Sequence, residues 1–181
     1  MIPHIVNSFF CAKDADIESF LKVKAVEFEK IYKSRTYLIC DYEKLAKGEF
    51  TIVGYFSLSL KALVLPDDMS IRTRKELDGC GGKIHGASIR EIPYYLIGQL
   101  SKNSSVNTEG FSGVNILEEA FKVLDEANKS VGGRYVMVEC HNNQKLLDFY
   151  QTNGFKIFGD DTDVEGMIQL IRPVHWNKGI K

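Results

Sequence analysis

The stretch "RYVMVECHNNQKLLDFYQTNGF", Arg134 to Phe155, decides the architecture. Its first seven residues, Arg134 to Cys140, are strand formers with almost no polar interruption, so they read as a buried strand. Asn143 follows, a residue suited to accept from the free amides that begin a helix. Leu146, Leu147 and Tyr150 then fall on one helical face. Gly154-Phe155 stops that helix and turns the chain into another strand. A strand–helix–strand unit of this kind needs a sheet beside it, and the rest of the chain supplies one.

Upstream, Ser112 to Lys129 reads as a helix with a wide apolar face of Ile116, Leu117, Ala120, Phe121, Val123, Leu124 and Ala127. Gly132-Gly133 follows its end. "IPYYLIGQL", Ile92 to Leu100, is apolar on both faces and reads as a central strand. "FTIVGYFSLSLKALVL", Phe50 to Leu65, alternates Phe56, Leu58 and Leu60 with Ser57, Ser59 and Lys61, a long half-buried strand. "RTYLICDY", Arg35 to Tyr42, precedes it across the turn "KLAKGE", so a hairpin is expected. Asp14 to Lys33 predicts one amphipathic helix, capped by Asp14 or Asp16, with Ile17, Phe20, Leu21, Lys24, Phe28 and Ile31 on one stripe. Asp67 to Glu91 is polar and predicts a short helix plus loop. Its "RTRK", Arg72 to Lys75, reads as a solvated helix face or as a contact for a phosphate. "FKIF" and "MIQLIRP" are expected as final strands around the acidic turn "GDDTDVEG".

This order predicts an α/β (α+β) fold, a mixed sheet with helices on both faces. The 181 residues, 44% hydrophobic and 26% charged, suit one domain spanning 1–181. A net charge of −1 gives no global attraction to nucleic acid or anionic membrane. Cys11, Cys40, Cys80 and Cys140 form no CxxC pair and no zinc spacing, so reduced thiols in a cytoplasmic protein are expected. The acidic turn lacks the order of a calcium loop, and no metal is expected. The N-terminus lacks the pattern of a signal peptide, and no apolar run approaches membrane-spanning length.

Chemistry concentrates around two helix starts. After Leu100 a polar loop, "SKNSSVNTE", leads to "GFSG", Gly110 to Gly113. The first amides of a helix lack internal acceptors and carry the positive end of the dipole, so a glycine-rich turn there suits a phosphate. Ser112 equally suits a cap with no ligand at all. The GxGxxG and GK[ST] patterns of dinucleotide and nucleoside-triphosphate sites are absent.

The second helix start adds a resemblance. Asn143, Phe149, Tyr150, Gly154 and Phe155 match the pattern Asn-x-x-Ala-x-x-Phe/Leu-Tyr-x-x-x-Gly-Phe that closes the GNAT superfamily of N-acetyltransferases, with Leu146 at the alanine position. The element order matches as well. The N-terminal "SFFCAKDADIESFLKVKA", with "RTYLICDY" and "IVGYFSLSL", resembles a branch that includes toxin-like members. The resemblance implies a mostly antiparallel GNAT-like sheet flanked by helices. It implies acetyl-CoA as cosubstrate and direct transfer of acetyl to an amine. The cofactor is then expected against Leu100, Lys102, Gly110, Phe111, Ser112, Gly113, Asn143 and Phe149, with the pantetheine arm pairing where the central strand splays from its neighbour.

By the same resemblance Tyr150 is the general acid that protonates the leaving thiolate. A thiol titrates at roughly 8.5 and a tyrosine at roughly 10, so the unperturbed groups are close. Glu139 is the candidate base, and Gln99, polar in an apolar strand, is a candidate holder of a relaying water. The family's pyrophosphate loop usually reads Arg/Gln-x-x-Gly-x-Gly/Ala, and "VNTEGFSG" has no arginine or glutamine in place. That departure motivates one alternative, a non-catalytic binding module with the same fold. The N-terminal resemblance motivates another, a toxin that acetylates the amino group of aminoacyl-tRNA. The net charge argues against a nucleic-acid partner and leaves tRNA as the exception. An edge strand near the C-terminus suggests a homodimer.

Overall fold

The computed structural model describes residues 2–159 and 166–175. In chain order the elements are α1 (Ile2–Asn7), α2 (Ala15–Ser19), a π turn (Phe20–Lys24), α3 (Ala25–Lys30), β1 (Arg35–Cys40), α4 (Tyr42–Leu45) and β2 (Ile52–Val64). Then come α5 (Ile71–Asp78), β3 (Lys83–Ile84), β4 (Ala87–Ser88), β5 (Glu91–Lys102), α6 (Gly113–Val131), β6 (Tyr135–His141), α7 (Gln144–Thr152), β7 (Lys156–Ile157) and β8 (Met167–Pro173). The main sheet has the order β1-β2-β5-β6-β8-β7. Every pair in it is antiparallel except β5–β6. The acidic turn "GDDTDVEG" falls largely outside the described residues.

The predicted helix over 14–33 is present but interrupted. Asp14 caps it, accepting from the amides of Asp16 and Ile17. At the π turn the Ala25 amide donates to the Phe20 carbonyl, five residues back. The extra residue in that turn rotates everything after it. Ala25 therefore enters the core beside Leu21, while Lys24 is exposed and Ile31 is 65% exposed. The expected stripe holds up to Leu21; beyond it Lys24 and Ile31 leave the core, while Phe28 stays half-buried with its ring edge-on to Phe20.

The "KLAKGE" turn begins as one turn of helix, α4, capped by the Asp41 carboxylate. The 67–91 segment contains the expected helix, α5, and also the small hairpin β3–β4. Of "RTRK", Arg72 and Lys75 are exposed as a solvated face requires, but Arg74 departs from that reading. It is buried, and its guanidinium donates to the carbonyls of Pro66, Asp67, Met69 and Ile89. Arginine carries five donors in a rigid fork, which lets one side chain satisfy several turn carbonyls.

Among the described residues three clusters form the core. One joins the sheet to α6 and α7 through Phe56, Leu58, Ile97, Ile116, Val138, Tyr150 and Phe155. On the opposite face, Phe9, Leu21, Ala25 and Tyr55 pack under the N-terminal helices. Leu65, Ile89, Tyr94 and Met137 pack with the segment that carries α5. Along β2, Ser57, Ser59 and Lys61 separate these last two clusters, because alternation puts them on that same face. The second face of the sheet thus has apolar cover at both ends and a polar trough between.

Candidate active site

The site originates in a strand that changes partners. β5 pairs with β6 only at Tyr95↔Val136, Leu96↔Met137 and Ile97↔Val138. Beyond Ile97, β5 continues beside β2 alone, as far as Lys102↔Gly54. β6 continues beside β8 alone, as far as His141↔Met167. A bulge causes the parting: Ser57 faces Gln99 and Leu58 faces Ile97, which leaves Gly98 as the extra residue. A bulge bends its strand and frees backbone groups from the ladder. Gly98 is exposed although the four residues before it are buried. The result is a wedge between two strands in the middle of the sheet.

On the α6–α7 side of the wedge, several of the expected residues come together. Leu100 and Phe111 pack against the core there. The Lys102 ammonium donates to the carbonyls of Phe111 (2.8 Å) and Thr108 (3.3 Å), tying the loop over 103–111 to the end of β5. Gly110 has φ +73°, a left-handed conformation that glycine adopts without steric cost. Ser112 forms the cap of α6: its amide and hydroxyl both donate to the Asn115 carboxamide oxygen, at 2.8 and 3.0 Å. The next two amides, at Gly113 and Val114, have no acceptor within the helix. Gly113 lies against the Phe149 ring.

Tyr150 sits on the same side, 8% exposed. Its ring meets Phe149 edge-on at 5.0 Å and Phe155 at 5.5 Å. Its hydroxyl makes no hydrogen bond among the described residues. Burial, and then the nearby Cys140 thiol, pushes the phenol well above the ordinary tyrosine range. Asn143 is spent on its own helix, accepting from the Lys145 amide at 3.0 Å. Leu147 and Tyr150 face the core, whereas Leu146 is 39% exposed and leaves their face.

Glu139 and Gln99 lie on the trough side. Val138 and Cys140 point to the α6–α7 core, so Glu139 points the other way. One Glu139 carboxylate oxygen accepts from Gln169 Nε2 at 3.2 Å, and the other lies 3.8 Å from Lys61 Nζ. Tyr94 is buried nearby; burial, then the Glu139 charge, pushes its phenol up to about 12. The Gln99 carboxamide oxygen is buried and has no hydrogen-bond partner among the described residues. An unpartnered buried acceptor carries a desolvation cost, so the site holds a polar group that its own fold leaves unsatisfied.

Sequence reasoning missed three contributors. Gly98 is one, although a glycine inside an apolar strand is a bulge signal. Asn103 is another. It is 1% exposed, donates to the Ile52 carbonyl, and accepts from the Phe10 and Ser105 amides. It fastens the N-terminal segment to the loop that leaves β5. Lys61 is the third, placed in the trough by the same alternation that made it look like a solvent-facing residue.

No protein-family model matches the sequence. Solved structures do. AtaT complexed with acetyl-methionyl-tRNAfMet is 22% identical, with 93% of this chain and 86% of that chain covered and a TM-score of 0.67. AtaTR bound with acetyl-CoA is 23% identical, with coverage of 93% and 86% and a TM-score of 0.70. A tyrosine-to-phenylalanine mutant of the AtaT toxin, bound to acetyl-CoA and the C-terminus of the antitoxin AtaR, is 20% identical over 92% and 83%, TM-score 0.65. The chain has the GNAT fold. In GNAT terms, the wedge beside Gly98 is the splay that the resemblance led us to expect at the end of the Ile92–Leu100 strand.

Among the described residues no group of three metal-ligating side chains converges, and no helix is long and apolar enough to cross a membrane. All four cysteines are free; Cys80 is exposed, and Cys11 and Cys140 are buried.

Proposed function

We propose that the protein is an acetyl-CoA-dependent N-acetyltransferase that passes acetyl directly to a primary amine in a ternary complex. The observation that carries this reading is the parting of β5 from β6 at Gly98, with Tyr150 on one side and Glu139 on the other. Acetyl-CoA supplies an activated thioester when bound. Backbone groups near Leu100 and Lys102 pair with its pantetheine arm, as a strand would. The Gly110–Gly113 turn, with Phe111 and Ser112, presents the first α6 amides to the pyrophosphate. The Phe149 ring forms part of the wall beside them, and Asn143 secures the helix that carries it.

The attacking amine must first lose a proton. Glu139 takes it, directly or through a water held by the unpartnered Gln99 oxygen. A strand amide near Gln99 or Leu100 supports the developing oxyanion. As the C–S bond breaks, the Tyr150 hydroxyl donates to the departing sulfur and protonates it. Its raised pKa keeps the phenol protonated and able to donate. The same shift widens the gap to a thiol, so hydrogen bonding to the thiolate contributes more than the unperturbed values suggest.

A second reading gives the acceptor as the α-amino group of an aminoacyl-tRNA. It is favoured by one observation: a structure that shares this fold holds acetyl-methionyl-tRNAfMet. On this reading tRNA stands level with small amines as acceptor, and the net charge no longer decides against it.

The test is calorimetric titration with acetyl-CoA, followed by acceptor assays with polyamines, peptides and charged tRNA. We expect binding by the wild type, retention in Tyr150→Phe and loss in Gly110→Trp, which strains the left-handed turn. No binding by the wild type would sink the enzyme reading and favour the non-catalytic module.

A further inference from the structure

The trough contains an amine of its own. Lys61 stands in register with Tyr94 on β5. Glu139 follows Val138, which makes the last pairing before β5 and β6 separate. The Lys61 side chain crosses β5 to bring Nζ within 3.8 Å of Glu139 Oε2. Gln169 holds the other carboxylate oxygen at 3.2 Å. An ammonium group therefore already occupies the place an acceptor amine must take: on the candidate base, at the mouth of the wedge. The lysine side chain is 50% exposed and the pair is long for an ion pair, so the stem has room to move.

We infer that Lys61 is an internal acceptor, and that the protein transfers acetyl from acetyl-CoA to its own Lys61 Nζ. The inference rests on the acetyltransferase reading above. The Lys61 ammonium gives its proton to Glu139. The freed lone pair attacks the thioester carbonyl carbon, forming the C–N bond. The C–S bond breaks and its electron pair leaves on sulfur; the thiolate takes the Tyr150 hydroxyl proton, and the second proton lost by the acylated nitrogen restores the phenol. The products are Nε-acetyl-Lys61 and CoA, with no oxidant or further reactant required.

Among the described residues no other lysine lies within 4.0 Å of the Glu139 carboxylate. Lys22, Lys122 and Lys129 pair with carboxylates of their own helices. The Lys102 ammonium is engaged by two loop carbonyls. Acetylation of Lys61 also has a consequence for the site. It removes the cation from Glu139 and leaves that carboxylate held by Gln169, open to an external amine.

The experiment incubates the full chain with radiolabelled acetyl-CoA, measures intact mass and maps modified peptides, with acetyl-CoA binding measured in parallel. We expect one acetyl group per chain, on Lys61, at a first-order rate independent of protein concentration. Lys61→Arg should bind acetyl-CoA and take up no label. Glu139→Gln should label about a hundredfold more slowly. Binding of acetyl-CoA without modification of Lys61 would overturn the inference and leave the acetyltransferase reading intact. So would label spread over exposed lysines at the rate of the urea-unfolded chain, or a rate that rises with protein concentration. Absence of acetyl-CoA binding would overturn both.

Discussion

The Phe149 ring closes on Gly113 so nearly that a Cβ on Gly113 would lie 3.3 Å from two of its ring carbons. This contact joins the first residue of α6 to the helix that carries Tyr150. Adding one methyl group asks the ring to give by a fraction of an ångström, and alanine gains helix propensity in return. Gly113→Ala is therefore expected to be nearly neutral. Gly113→Val over-fills the contact and should cost about 1–3 kcal/mol in urea unfolding. Valine also displaces Phe149 from the proposed pyrophosphate end, so acetyl-CoA affinity should fall with it. Unchanged affinity in Gly113→Val would remove Phe149 from the cleft.

Tyr150→Phe separates chemistry from stability. The hydroxyl makes no hydrogen bond among the described residues, so nothing is orphaned when it is removed. Thermal denaturation should shift by less than about 1 kcal/mol equivalent. Turnover should drop on the order of a hundredfold or more, the usual weight of a positioned acid. Because burial raises the Tyr150 phenol, its ionisation should produce no loss of activity below about pH 10. An alkaline limb near neutrality that vanishes in Tyr150→Phe would contradict the assignment.

Buried tyrosines also set an alkaline limit on stability. Burial raises Tyr55 and Tyr150 above the ordinary range and pushes Tyr94 up to about 12. Each phenol holds its proton more tightly folded than unfolded. Their contribution is therefore complete below the unfolded value of roughly 10, and is lost as pH rises from there through the folded values. Urea midpoints should be flat approaching pH 10 and then fall, by up to about 1.4 kcal/mol per pH unit for each tyrosine. A stability flat to pH 12 would mean that these phenols are solvated.

The strands and the last two helices were legible because their signals are local. Alternation in β2, two-sided apolarity in β5 and the Asn143 and Gly154 punctuation of α7 each follow from a few neighbouring residues. The π turn was not legible: its only trace is that Ala25 fits the core better than Lys24. Arg74 was misread because a basic run on a short helix ordinarily faces water. Only the fold around it places four carbonyls within reach of its guanidinium. At the site, Tyr150 and Phe149 could be named through the motif that carries them. The Lys61–Glu139 approach spans three strands, and no spacing in the sequence encodes it.

Arg74 lends itself to a stability test. Its removal takes a donor from four turn carbonyls, of which Pro66 keeps the Met69 amide, at about 1–3 kcal/mol for each left unpaired that water cannot reach. Arg74→Met should destabilise the protein by about 3 kcal/mol and loosen the β3–β4 hairpin, seen as faster amide exchange at Ile89. Arg74→Lys should recover little, because an ammonium cannot span the fork. Full recovery by lysine would show that charge, rather than geometry, holds the segment.

Gln99 makes the opposite prediction. Among the described residues its buried carboxamide oxygen has no partner, so no protein hydrogen bond offsets its desolvation. Gln99→Leu keeps the volume and removes the orphan. It should leave stability unchanged or raise it by about 1 kcal/mol, against the usual direction for a core substitution. If the oxygen holds the relaying water, the same variant should lower kcat while binding acetyl-CoA as tightly as the wild type. Gln99→Glu restores an acceptor and should recover part of the rate at neutral pH. A stabilised Gln99→Leu protein with full turnover would show the unsatisfied oxygen to be a cost of the bulge at Gly98 alone. A stabilised protein with lost turnover would place that cost in the service of the acceptor.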